Sequence, residues 1–112
     1  MTSDLAGKRV ELLREVVPAL RRLAILANVG NPNAVLEMGE VQTAARTLGL
    51  KAVTFEIRRA EDIAPAFEVL KGRTEAIYVV TDPLTNANRL RINTLALGAR
   101  LPTMCNGARD LR

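Results

Sequence analysis

A chain of 112 residues, 48% hydrophobic and 25% charged, has the length and balance of one globular domain and is too short for two. Its net charge of +4 is thinly spread: Arg9, Arg14, Arg46, Arg73 and Arg100 are scattered, Arg21–Arg22 and Arg58–Arg59 are isolated pairs, and no basic run interleaves with aromatics, which argues against a nucleic-acid partner. A single cysteine and no histidine exclude an intrachain disulfide and the usual zinc and copper sites, and no segment approaches the roughly 18 apolar residues that span a bilayer.

The first predicted element is a helix over residues 5–20, capped by Ser3 or Asp4, with Val10, Leu13, Val17 and Leu20 on one face. Residues 23–27 form a continuous apolar run, the pattern of a strand buried on both sides in a parallel sheet. The turn-forming stretch 28–33 follows. A second helix then starts near Asn33 or Ala34, with Met38, Val41, Ala45 and Leu48 facing inward and Gly49 ending it. Residues 51–57 alternate imperfectly and read as a more exposed edge strand. A third helix over 61–71 has Glu61 and Asp62 at its positive end, Pro65 near its first turn and Ile63, Phe67 and Leu70 on its apolar face.

Residues 76–80 give the clearest strand signal, and Tyr78 within them reads as core. After the loop 81–86 a fourth helix is predicted over 86–99, with Ile92, Leu95, Ala96 and Ala99 inward. A short last strand covers 103–105, where Cys105 reads as a small buried residue, and Asn106-Gly107 then turns the chain. Strands separated by helices must run parallel, and right-handed crossovers then favour a doubly wound, flavodoxin-like or Rossmann-like α/β fold: about four strands in the order 2-1-3-4, helices on both faces.

Ligands of such sheets bind beyond the carboxyl ends of the strands, at the switch point between the first and third. That rule marks three loops and the candidate residues Asn28, Gly30, Asn31, Asp82, Pro83, Thr85, Asn86, Asn106 and Gly107. Asn28, Gly30 and Asn31 either offer amides and open backbone to a ligand or form a plain helix-starting turn. Asp82 either accepts from a ligand ammonium or hydroxyl or caps the turn. Thr85 and Asn86, at the start of the fourth helix, either cap it or use its free N–H groups to hold an anion. The loops carry neither GxGxxG nor a phosphate-binding P-loop, and no Ser-His-Asp set can form. The residues therefore suggest binding without catalysis, no cofactor and no metal; a receiver-like or flavodoxin-like signalling or nucleotide-binding domain is the alternative.

The stretch from Leu5 through Gly7-Lys8-Arg9 to Val16-Val17-Pro18, followed by a strand ending in Asn28, is distinctive. With Ala44-Ala45-Arg46-Thr47-Leu48-Gly49-Leu50, Thr81-Asp82-Pro83-Leu84 and Arg100-Leu101-Pro102-Thr103 in the same order, it resembles the ABC transporter substrate-binding proteins of the putative tryptophan, tyrosine or amino-acid type. The resemblance covers almost the whole chain and implies the second lobe of a two-lobed type I periplasmic binding protein. It also implies an amino-acid-like solute in the cleft between lobes, an ABC permease as partner of the full-length parent, and a periplasmic location. Val29-Gly30 departs from the family's usual Asn-Pro-rich loop. Met1 falls inside what the family writes as continuous sequence, with no signal peptide before it. The chain is thus expected to be a fragment or truncated product that stays in the cytoplasm as written, with an exposed sheet edge that allows a homodimer.

Overall fold

The computed structural model describes the backbone of residues 2–105 and the side chains of residues 6–104. Four strands, β1 (Arg22–Asn28), β2 (Lys51–Ile57), β3 (Ala76–Val79) and β4 (Thr103–Cys105), form one sheet in the order β2-β1-β3-β4. Every pairing is parallel, with Arg22 opposite Lys51, Leu23 opposite Ala76 and Ile77 opposite Thr103 opening the three registers. The predicted doubly wound order is thus the observed one, with β2 and β4 at the edges. Asn106 and Gly107 lie outside the described residues.

Helices α1 (Thr2–Val16) and α2 (Pro32–Thr47) cover one face; α3 (Ile63–Leu70) and α5 (Arg89–Gly98) cover the other. Strand pleating divides the core between them. Leu23, Ile25, Ala27, Ala76, Tyr78 and Val80 pack with Val10, Leu13, Val41 and Ala45, whereas Ala24, Leu26, Ile77 and Val79 pack with Ile63, Phe67, Leu70, Ile92 and Ala96. With only three aromatic residues in the chain, both half-cores are largely aliphatic.

Three helix boundaries differ from those predicted. α1 starts at Thr2, so Ser3 and Asp4 lie within it rather than capping it. It also stops at Val16 instead of residue 20, because Pro18 disfavours helical backbone in the residue before it and has no N–H to continue the ladder. α3 is preceded by a 3-10 turn, Ala60–Asp62. The Asp62 carboxylate accepts from the backbone N–H groups of Arg58 and Arg59 at 2.9 and 3.2 Å, which tightens the entry.

The single helix expected over 86–99 is two helices, α4 (Pro83–Ala87) and α5. Asp82 and Pro83 start a helix three residues early, and Asn88 then breaks it. With φ −111° and ψ 21°, Asn88 ends α4 and opens α5 at once: its Nδ2 donates to Leu84 O at 2.9 Å and its carbonyl accepts from Ile92 N–H at 2.9 Å.

Gly49 closes α2 as predicted, at φ +77°, a conformation an L side chain resists. Gly49→Ala is expected to lower stability by about 1 kcal/mol, read as a shift in the urea midpoint without a change in slope.

At the amino ends of β1 and β3 the Glu75 carboxylate clamps the two strands. One oxygen accepts from Arg21 and Arg22 N–H at 3.0 and 2.7 Å, and the other from the Arg22 guanidinium at 3.2 and 2.9 Å. Partial burial alone would raise the Glu75 pKa, but the backbone N–H groups and guanidinium overcome it and hold the carboxyl below its ordinary 4.5. A depressed carboxyl stabilises the fold above its unfolded pKa and loses that contribution as pH falls through the folded value. Glu75→Gln keeps an acceptor and discards the charge in a partly solvated setting, so a loss of about 0.5 kcal/mol at neutral pH, vanishing in acid, is expected from paired denaturation curves.

Candidate functional site

The switch point lies where β1 and β3 end side by side and their connections leave for opposite faces. After β1, Asn28 and Asn31 build a pair of side-chain turns. Asn28 Oδ1 accepts from Gly30 N–H at 2.9 Å, and Asn31 Oδ1 accepts from Asn33 N–H at 3.0 Å, which caps α2 ahead of Pro32 at its first position. A Cβ built on Gly30 would stand 3.2 Å from Asn28 Oδ1, closer than ordinary contact, so a side chain there would press on the oxygen that holds the loop.

After β3, Asp82 caps α4, again with proline at the first helical position. Its Oδ1 accepts from Thr85 N–H at 3.0 Å and Thr85 Oγ1 lies at 3.1 Å, while the Asp82 N–H donates back to Thr85 Oγ1 at 2.9 Å. The reciprocal pair satisfies two end donors of a five-residue helix too short to be stable unaided.

One carboxylate joins the two loops. Asp82 Oδ2 accepts from Asn28 Nδ2 at 2.7 Å and from Asn31 Nδ2 at 3.3 Å. Asp82 is only 8% exposed and Thr85 2%. Burial alone would raise the Asp82 pKa; the Thr85 N–H, the two asparagine amides and the Thr85 hydroxyl outweigh it and hold the carboxyl below its ordinary 3.8. Both carboxylate oxygens therefore already have protein donors.

Of the predicted site residues, Asn28, Gly30, Asn31, Asp82 and Thr85 come together in this network. Pro83 is exposed at the first position of α4. Asn86 stands apart from the network. It is exposed and helps line an open, polar hollow with Asn88, Arg89 and Arg91. Thr85 and Asn86 belong to α4, so neither starts the long helix that was expected. Among the described residues no group of three metal-ligating side chains converges, and no helix is long and apolar enough to cross a membrane.

Sequence reasoning missed a second polar network behind these loops. Tyr78, fully buried in β3, donates its hydroxyl to Glu37 Oε2 on α2 at 2.8 Å, and the same oxygen lies 3.5 Å from Arg9 Nη1 on α1. Nothing in the local sequence links these three residues, which become neighbours only when both helices pack on one sheet face. A polar Glu37 immediately before the core residue Met38 was the one available signal.

A family model described as ABC transporter substrate binding protein matches residues 2–110. The chain belongs to the ABC transporter substrate-binding protein family. This substrate-binding domain is also similar in fold to an ABC domain from Streptococcus pneumonia solved in complex with L-Trp, at 21% identity and a TM-score of 0.84. It resembles a conserved domain protein from Vibrio cholerae at 23% identity and TM-score 0.83. A substrate binding protein with adhesive properties from Clostridium difficile, in a ligand-free, open structure, is similar at 21% identity and TM-score 0.82. The superpositions cover 89%, 89% and 88% of the substrate-binding domain but 34%, 34% and 33% of those chains, so it spans about a third of their length. Among curated proteins no relative is found by sequence.

Proposed function

We propose that this chain is one lobe, the second, of a two-lobed receptor that delivers a small solute to an ABC permease outside the cytoplasmic membrane and performs no chemistry on it. The observation that carries the reading is the Asn28–Asp82–Asn31 junction. It fixes two loops at the carboxyl edge of a parallel sheet, where such folds bind ligands, in a chain whose family binds substrates for transport. In this reading Asp82 and Thr85 hold the rim, while Gly30, Asn31, Pro83 and Asn86 present it. An amino acid is the proposed solute, supported by the L-Trp bound to one protein of the same fold. A homodimer through the β4 edge of the sheet belongs to the same reading and is checked by the concentration dependence of sedimentation.

Half a cleft binds weakly, so the test must detect millimolar contact. Amide chemical shifts of the labelled chain, titrated with L-amino acids including tryptophan, are expected to move at Gly30, Asn31, Thr85 and Asn86. Shifts confined to other surfaces, or none across the series, would overturn the assignment.

A further inference from the structure

The α4–α5 segment has a surface that the solute reading does not use. From Pro83 to Cys105 the chain contains three arginines, Arg89, Arg91 and Arg100, and no acidic residue. All three are exposed and none has an ion pair or side-chain hydrogen bond among the described residues. The same helix carries the two most exposed large apolar side chains of the described residues, Leu90 at 81% and Leu97 at 73%.

Their arrangement is directional. Leu90 and Leu97 are seven residues apart on α5, so they point the same way within about 20°. The buried face is set by Ile92 and Ala96 on the opposite side. At about 100° per residue, Arg89 falls on one flank of the leucine stripe and Arg91 on the other, and Arg100 follows at the end of the helix. The result is a ridge of two exposed aliphatic side chains between guanidinium groups, with an open hollow at each end.

From this geometry we propose that the outer face of α5 docks on an anionic lipid surface, with Leu90 and Leu97 entering the acyl boundary and Arg89, Arg91 and Arg100 engaging headgroup phosphates. Charge disfavours a second copy of this chain on the same face, because a symmetric pairing would set three unpaired arginines against three. Guanidinium groups match phosphate oxygens bidentately. Two exposed aliphatic side chains among arginines suit a headgroup–acyl boundary, whereas protein hot spots favour aromatic anchors.

The test is co-sedimentation of the 112-residue chain with vesicles of phosphatidylglycerol in phosphatidylcholine, against vesicles of phosphatidylcholine alone. Binding is expected only with the anionic lipid and should weaken with salt. The triple variant Arg89→Gln, Arg91→Gln, Arg100→Gln and the double variant Leu90→Gln, Leu97→Gln should each weaken it by about tenfold or more. A control triple, Arg46→Gln, Arg58→Gln, Arg59→Gln, removes the same charge from exposed positions elsewhere and should retain most of the binding. All substituted side chains are exposed, and circular dichroism confirms that each variant folds. Three outcomes overturn the proposal: no binding to the anionic vesicles, which would leave the ridge to an acidic protein surface; equal loss in the control triple, which would reduce the effect to net charge; or full binding by the leucine variant.

Discussion

Asp82→Ala is expected to lower stability by about 3 kcal/mol at neutral pH, measured by urea unfolding, because it removes a helix cap and a buried charged acceptor together. The carboxylate satisfies Asn28 Nδ2, Asn31 Nδ2 and Thr85 N–H, with Thr85 Oγ1 alongside, and truncation strands the buried Thr85 donor and the half-buried asparagine amides. Asp82→Asn separates charge and hydrogen bonding from volume. Its Oδ1 can still cap Thr85, but its amide nitrogen then faces the amide nitrogens of Asn28 and Asn31. Neither asparagine can turn over to help, since each already uses its Oδ1 to accept a backbone N–H within its own loop. The isosteric change is therefore expected to cost nearly as much as the truncation, about 2 kcal/mol or more.

The sign of the pH dependence follows from the direction of the Asp82 shift. A carboxyl held below its ordinary value of 3.8 stabilises the fold at every pH above its unfolded pKa and loses that contribution as pH falls through the folded value. The wild-type chain and Asp82→Asn should thus differ most above about pH 5 and converge in strong acid. A constant difference down to low pH would mean that Asp82 acts through its hydrogen-bond pattern and not through its charge. The same variant bears on function. If Asp82 only holds the rim, amide shifts at Gly30 and Asn31 should change even without solute, because their loop has lost its anchor to β3.

Much of this organisation was legible in the chain because it is encoded locally. The apolar run in β1, the alternation of apolar runs with helical faces, and Gly49 after Leu48 each report a nearest-neighbour constraint. Parallel connection rules then reduce the strand order to the one observed. The departures also have local causes: Pro18 truncates α1, the sequence Asp82-Pro83-Leu84-Thr85 is itself a helix start that moves the fourth helix forward, and Asn88 splits it. At the switch point the residues were found but their division of labour was not. Spacing left Asp82 open to a ligand ammonium or a cap. Only the tertiary pairing of two loops separated by more than fifty residues shows that its oxygens are already engaged. The Arg9–Glu37–Tyr78 set was invisible for the same reason, each member coming from a different element.

Tyr78→Phe tests that hidden set and is expected to destabilise the chain by about 2 kcal/mol with the core volume unchanged. The ring is fully buried between the sheet and the α1–α2 layer, so the hydroxyl has no water to fall back on, and its removal leaves Glu37 facing only the Arg9 guanidinium at 3.5 Å. Burial first, and then the hydrogen bond and negative charge of Glu37, push the phenol pKa well above its ordinary 10.0, with Arg9 pulling weakly the other way. The folded state therefore holds this proton more tightly than the unfolded chain. That stabilisation is present in full below about pH 10 and is lost as pH rises from there toward the folded value. The chain has a single tyrosine, so its ultraviolet absorbance titrates one group. Phenolate should appear only together with alkaline unfolding, followed in parallel by circular dichroism. Ionisation near pH 10 in a still-folded chain would show that Glu37 does not hold the hydroxyl. Glu37→Gln keeps an acceptor for the phenol while removing the charge, so it should recover most of the stability that Tyr78→Phe loses and lower the pH at which phenolate forms. Through Glu37 on α2, this contact ties β3 to the helix that begins at Asn31, so loosening it should also loosen the alignment of the two switch-point loops.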